Sequence, residues 1–161
     1  GWNLISVPGP QTDPSVGAVF AQATAIIKVY TVQDGNWLYA NPGAGGWSGP
    51  LAQIVDGKGY YVYATAPITL TLSPKPPGPL APPPSYALPI GWSLIGYTTL
   101  SFSPTQPVSF YLSSLAGKWR TLYRYDEVKG WELARPGMGF TDMELGRGYW
   151  IELTEAGTLV P

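Results

Sequence analysis

Asp142, Glu144 and Glu152 are the residues best placed to do chemistry. Two carboxylates held about 5–10 Å apart can divide acid and base or nucleophile roles in glycoside hydrolysis. All three lie beside Gly146-Arg147-Gly148-Tyr149-Trp150-Ile151. Their counterparts in a similar, earlier stretch are apolar or neutral, and carboxylates around a strand ordinarily serve solvation. The chain has no His and no Cys. The commonest general base, the usual zinc ligands and the thiol nucleophile are therefore all missing. Serine catalysis would need a lysine such as Lys58 or Lys118, yet neither Ser-x-x-Lys nor Gly-x-Ser-x-Gly occurs. No Asp-x-Asp-x-Asp-Gly calcium loop is present. Gly57-Lys58-Gly59 and Gly146-Arg147-Gly148 look like phosphate cradles, but each leads into a strand rather than a helix N-terminus, which removes the physical basis of that motif. The expectation is a non-enzymatic protein with no cofactor and no metal.

What surrounds these residues is a repeat. Gly1-Trp2-Asn3-Leu4-Ile5 returns as Gly91-Trp92-Ser93-Leu94-Ile95, and Gly57-Lys58-Gly59-Tyr60-Tyr61-Val62 returns as Gly146-Arg147-Gly148-Tyr149-Trp150-Ile151. Self-similarity at a fixed spacing outranks local signals in deciding architecture. Residues 1–72 form one repeat and 90–161 the other. Between them 73–89 carries eight prolines in seventeen residues, which predicts a stiff polyproline II spacer. Units this small bury only about 60% of the surface they expose when unfolded. Seven Trp, eleven Tyr and four Phe supply the large apolar area that such cores require.

Within each repeat the order of elements is the same. A strand at 1–7 or 91–98 opens it, and a short helical segment follows at 14–21 or 108–115, with Asp13 before Pro14 suited to an N-cap. A hairpin comes next, turning at Asp34-Gly35 or Lys129-Gly130. A Gly-x-Gly turn then leads into an aromatic strand, and a last strand closes at 69–72 or 158–160. The fold class is all-β: two tandem homologous small β-sandwich or barrel-like domains, each with at most one short helix, joined by the proline-rich linker.

This succession of Gly-Trp-Asn-Leu-Ile-Ser-Val-Pro, a Val-Tyr strand with a turn and Trp, Gly-Lys-Gly-Tyr-Tyr-Val-Tyr and Ile-Thr-Leu resembles β modules of bacterial and archaeal secreted, surface-layer-associated proteins. The resemblance covers most of 1–72 and, more loosely, 91–160, where Ser93 replaces the usual Asn and Gly96-Tyr97 replaces Ser-Val. It implies an extracellular, cell-surface location and a structural or adhesive role, and brings no catalytic residues.

Charge narrows the partners. Nine Lys plus Arg against ten Asp plus Glu give a net charge of −1, and neither half has a basic stripe, so nucleic acid is not an expected partner. No apolar run is long enough for a membrane span. Only 12% of residues are charged, which favours self-association or neutral polymers. Strand alternation puts Tyr60, Val62 and Ala64 on one face with Tyr61 and Tyr63 on the other, and Tyr149, Ile151 and Leu153 opposite Trp150 and Glu152. Trp2, Trp37, Trp92 and Trp131 recur at equivalent places and are expected in the cores. Trp150, Tyr61 and Tyr63 are the candidate interaction surface. Two terminal segments are candidates for strand exchange with a neighbour, Gly1, Trp2 and Leu4 in one and Thr69, Leu70 and Leu72 in the other. The reading is a structural subunit of a surface layer or filament, a homo-oligomer joined through strand edges and aromatic patches. The alternative is a carbohydrate-binding module for a surface polysaccharide.

Overall fold

A computed structural model describes residues 1–76, 78, 81–99 and 103–161. The chain is all-β, with two short helices. The first half contains β1 (Trp2–Ser6), α1 (Val16–Val19), β2 (Ile26–Gln33), β3 (Asn36–Gly43), β4 (Gly46–Ser48) and β5 (Gly59–Ala64). Its five strands lie in the order β1-β5-β2-β3-β4. The second half contains β6 (Tyr86–Leu88), β7 (Gly91–Gly96), β8 (Thr105–Pro107), α2 (Val108–Tyr111), β9 (Trp119–Asp126), β10 (Gly130–Arg135), β11 (Met138–Gly139), β12 (Asp142–Glu144), β13 (Gly148–Leu153) and β14 (Gly157–Leu159). Here the main sheet runs β11-β10-β9-β13-β7, with β12-β8 and β14-β6 as two-stranded ribbons.

Local chemistry explains the turns. Asp34 and Gly35 sit at φ 50° and 75°, the paired positive angles that match a two-residue hairpin to strand twist. In the second half Gly130 takes φ 76°, while the Asp126 carboxylate accepts hydrogen bonds from the Val128 and Lys129 amides. The cap of α1 is Ser15, whose hydroxyl accepts from the Ala18 amide. Asp13, the expected cap, instead accepts from the Ser15 amide one step earlier.

Each sheet buries one face over its own cluster. Val16, Phe20, Ile26, Val29, Ile54, Tyr60 and Val62 belong to the first cluster, and Ile95, Tyr111, Leu115, Leu122, Tyr149 and Ile151 to the second. A buried leucine or aromatic contributes about 1.5–3 kcal/mol relative to exposure, so these clusters dominate the stability of each half.

Two expectations about extended segments are corrected. Residues 69–72 form no strand, although Leu70 and Leu72 pack against the first core. The segment expected to be wholly linker contributes β6, which pairs with β14 through Leu88↔Gly157, Ala87↔Thr158 and Tyr86↔Leu159. Its beginning is also tied down, for the Lys75 amide donates to Pro10 O and the Thr12 amide donates to Ser73 O.

The halves meet through reciprocal backbone contacts. Ile5 bridges to Arg147, and its equivalent Ile95 bridges to Lys58. The Ser6 amide donates to Gly146 O at 2.8 Å, and the Gly96 amide donates to Gly57 O at 3.0 Å. In each Gly-x-Gly the first glycine holds positive φ, 73° at Gly57 and 81° at Gly146. The second lets the opposing strand approach: a Cβ on Gly59 would lie 2.9 Å from Ile95 O, and one on Gly148 would lie 2.7 Å from Ile5 O. Gly96 is as tightly placed, 2.5 Å from Ser6 Cβ and 2.6 Å from Lys58 O if given a Cβ. The tyrosine after each motif braces its loop, Tyr60 Oη accepting from the Val55 amide and Tyr149 Oη from the Glu144 amide.

Gly148→Ala and Gly59→Ala are each expected to destabilise the chain by about 1–3 kcal/mol, the cost of forcing an extra methyl into a filled space. Gly45→Ala, which meets nothing within 4 Å, is expected to stay within about 0.5 kcal/mol. Denaturant unfolding of the three variants makes the comparison.

Candidate interaction surface

Alternation along β5 places Tyr60, Val62 and Ala64 in the core and leaves Tyr61 and Tyr63 half-buried on the outer face. Register extends that outer face sideways. Trp2 stands opposite Tyr63, Tyr30 opposite both Tyr61 and Tyr39, and Trp37 opposite Val32. In the second half Trp150 stands opposite Tyr123, and Trp131 opposite Tyr125. The rings touch in sequence. Trp2 lies 5.2–6.4 Å from Tyr30, Tyr61 and Tyr63, and Tyr30 meets Tyr39 at 6.2 Å. Trp37 lies 6.2 Å from Tyr61 and 6.1 Å from Trp150, which crosses from one half to the other. The chain of contacts continues from Trp150 to Trp92, Tyr123, Trp131 and Tyr125.

At the crossing the Trp150 indole N–H donates to Tyr61 Oη at 2.8 Å. These two residues hold the same place in the two repeats, so this bond sits where the reciprocal halves meet. Burial raises the Tyr61 phenol above its ordinary pKa, and the bond from Trp150 partly opposes that rise. Tyr61, Trp92, Tyr123, Trp131 and Trp150 together line an apolar groove of about 440 Å³.

The repeated tryptophans expected in the cores are on this face. Trp2, Trp37, Trp92 and Trp131 are 46, 55, 47 and 51% exposed. Their recurrence reflects register, since each stands on the outer face of its sheet. The tryptophans that do reach the interior are not at matched places: Trp119 is buried in the second core, and Trp47 packs on the first core beside Phe20 at 5.6 Å.

The carboxylates are engaged elsewhere. Glu144 is gripped by Arg124 at 2.5 Å and by Arg147 at 2.6 Å. Arg124 also binds Glu132 at 2.7 Å and lies 4.4 Å over the Phe140 ring, while Arg147 also meets Asp126 at 3.3 Å. Glu152 lies on the outer face opposite Trp92 and meets Arg120 at 3.8 Å. Arg124 neighbours Tyr123 along β9 and therefore points to the inner face, so Glu144 and Glu152 stand on opposite sides of the sheet. Asp142 accepts from the Thr141 hydroxyl. Among the described residues no group of three or more acidic side chains is arranged to hold a metal ion, and no helix is long and apolar enough to cross a membrane.

The proposed exchange segments are also placed. The Gly1 amino group donates to Ala64 O, and Trp2, Leu4 and Ser6 lie in register with β5. Leu4 is buried where the second half covers the end of β1. Thr69 is exposed, and Leu70 and Leu72 are half-buried. The edges of the two five-stranded sheets are β1, β4, β7 and β11. Those at β4 and β11 are three and two residues long, and β1 and β7 are closed at one end by the opposite half. Short or covered edges offer little backbone to a neighbour.

Comparison with protein-family models, curated proteins and solved structures found no match.

Trp150→Phe keeps a ring in the groove and removes the bond to Tyr61, so it is expected to cost about 1 kcal/mol in thermal or denaturant unfolding. A second expectation concerns acid. Backbone hydrogen bonds and Arg147 hold the Asp126 carboxyl below its ordinary pKa, and Arg124 does the same for Glu132. A carboxyl depressed in the folded state contributes stability above its unfolded pKa and loses it as pH falls through the folded one. Stability should therefore decline below about pH 4, and less steeply in an Asp126→Asn, Glu132→Gln double variant, as denaturant midpoints measured across pH would show.

Proposed function

We propose that this chain is a non-enzymatic, extracellular structural module of a cell-surface layer or filament, and that it joins neighbouring copies through its aromatic face. The observation that carries the reading is the unbroken run of rings across both halves, with four tryptophans about half exposed. Contiguous apolar surface of this kind characterises association sites. The polar centre of the groove is already self-satisfied by the Trp150 to Tyr61 bond, which suits an apolar partner surface better than one needing hydrogen bonds there. The resemblance to secreted surface modules supports the extracellular setting, and the low charge supports contact between like molecules.

Polysaccharide binding is the second reading. It draws on the Trp92 and Trp131 indole N–H groups and the Tyr123 hydroxyl, none of which has a hydrogen-bond partner among the described residues. Against a flat polysaccharide surface, neighbouring rings are steeply inclined, at 82° for Trp92 with Trp150 and 89° for Tyr123 with Trp131.

Sedimentation of the purified chain over a wide concentration range tests the proposal. The expected result is concentration-dependent oligomers that disappear in a Trp37→Ser, Trp131→Ser double variant of unchanged fold. A strict monomer at high concentration overturns it, and saturable polysaccharide binding by that monomer, lost in the same variant, establishes the second reading.

A further inference from the structure

The halves differ in how their last segment is covered, where the repeat leads one to expect equality. In the second half β14 is covered by β6, a strand taken from the residues just ahead of Gly91. Leu88 and Leu159 enter the second core from this ribbon. The Tyr86 ring lies against Gly57 of the first half so closely that a Cβ there would collide with it. The Tyr86 hydroxyl donates to Asp56 at 2.5 Å and approaches Thr98 Oγ1 at 3.3 Å.

In the first half Ile68, Thr69 and Leu70 correspond to β14. Among the described residues no strand covers them, and beside them a cleft of about 750 Å³ opens between Trp2, Ile5, Val62, Ala64, Ile68 and Leu70. Gly146, the counterpart of Gly57, lines the same cleft, and a Cβ built on it would meet nothing within 4 Å. Thus the space that Leu88 and Tyr86 fill in one half is present and open in the other, down to the glycine that receives the aromatic ring.

We infer that this cleft is a strand-acceptor site. Its occupant is an extended, uncharged segment with apolar side chains two residues apart, joined to Gly1 as Tyr86–Leu88 is joined to Gly91. Pairing along 68–70 would satisfy backbone groups, and alternate side chains would enter the core, the mode by which a sheet accepts an added strand. The repeat also sets a preference at the ring position. By repeat position Leu145 and Pro8 correspond to Asp56 and Thr98, which bind the Tyr86 hydroxyl, so a hydroxyl in the first half would lack those two partners. A phenylalanine or an aliphatic residue fits the first half, and a tyrosine fits the second.

The test adds Ser-Phe-Ala-Leu-Pro-Ile ahead of Gly1 and compares it with Ser-Asp-Ala-Asp-Pro-Ile and with the chain starting at Gly1. The apolar extension is expected to raise the thermal midpoint by about 3 °C or more and to slow amide exchange at Thr69 and Leu70 about tenfold or more. The acidic extension should do neither. Replacing Phe by Tyr in the extension should give a smaller rise. Equal midpoints and equal exchange for the apolar and acidic extensions would overturn the inference. Protection of 68–70 that already exists in the unextended chain and grows with its concentration would also overturn it, since the donor would then be a second copy. These readouts lie away from the aromatic face, so they succeed or fail independently of the sedimentation result.

Discussion

Backbone must touch backbone where the two halves join, and most of the architecture follows from that. Ser6 and Gly96 donate into the loops ahead of β13 and β5, and Gly148 and Gly59 leave room for the carbonyls of Ile5 and Ile95. A glycine at such a point has no substitute, because any side chain would push the strands apart. Because the contact is reciprocal, β1 and β7 are both partly covered by it. The outer faces of the two sheets are brought into line, which is why Trp37 of one half can reach Trp150 of the other.

The aromatic residues divide between two tasks. Tyr60, Tyr111 and Tyr149 are buried, and each uses its hydroxyl to hold a neighbouring backbone group; burial pushes the Tyr111 and Tyr149 phenols up to about 12. The outer rings hold one another edge to face or tilted, geometries that suit aromatic quadrupoles better than a face-to-face sandwich. Charge is distributed unequally. Arg124, in the second half, centres a network of ion pairs, whereas its counterpart Thr31 is buried and donates to Gly59 O at 2.7 Å. One half therefore braces its sheet with ions and the other with a single neutral bond.

Much of this was legible in the sequence, and the failures have definite causes. The repeat, the all-β class, the Asp34-Gly35 hairpin and the alternation along β5 and β13 depend on local rules, and local rules carry them. The inward or outward sense of Trp2 and Trp92 depends on which residue lies across the strand pair, which no local pattern contains. Large apolar side chains predict core, but opposite Tyr63 and Glu152 Trp2 and Trp92 face out. The small strands β4, β8, β11 and β12 are two or three residues long, too short to show alternation. The Gly-x-Gly motif predicts a turn, and its role between the halves leaves a signal only in being doubled.

The contact between Ser6 and Gly96 is an unequal step where the reciprocal backbone bonds of the join lie side by side. A first half facing a second sets a hydroxymethyl group against a hydrogen, and the space closes. Two first halves facing each other would set serine against serine in a gap that does not admit one further carbon, and two second halves would leave a void there. At this contact like units thus fit one another poorly while unlike units match, so the join tells a first half from a second through one small side chain and its absence.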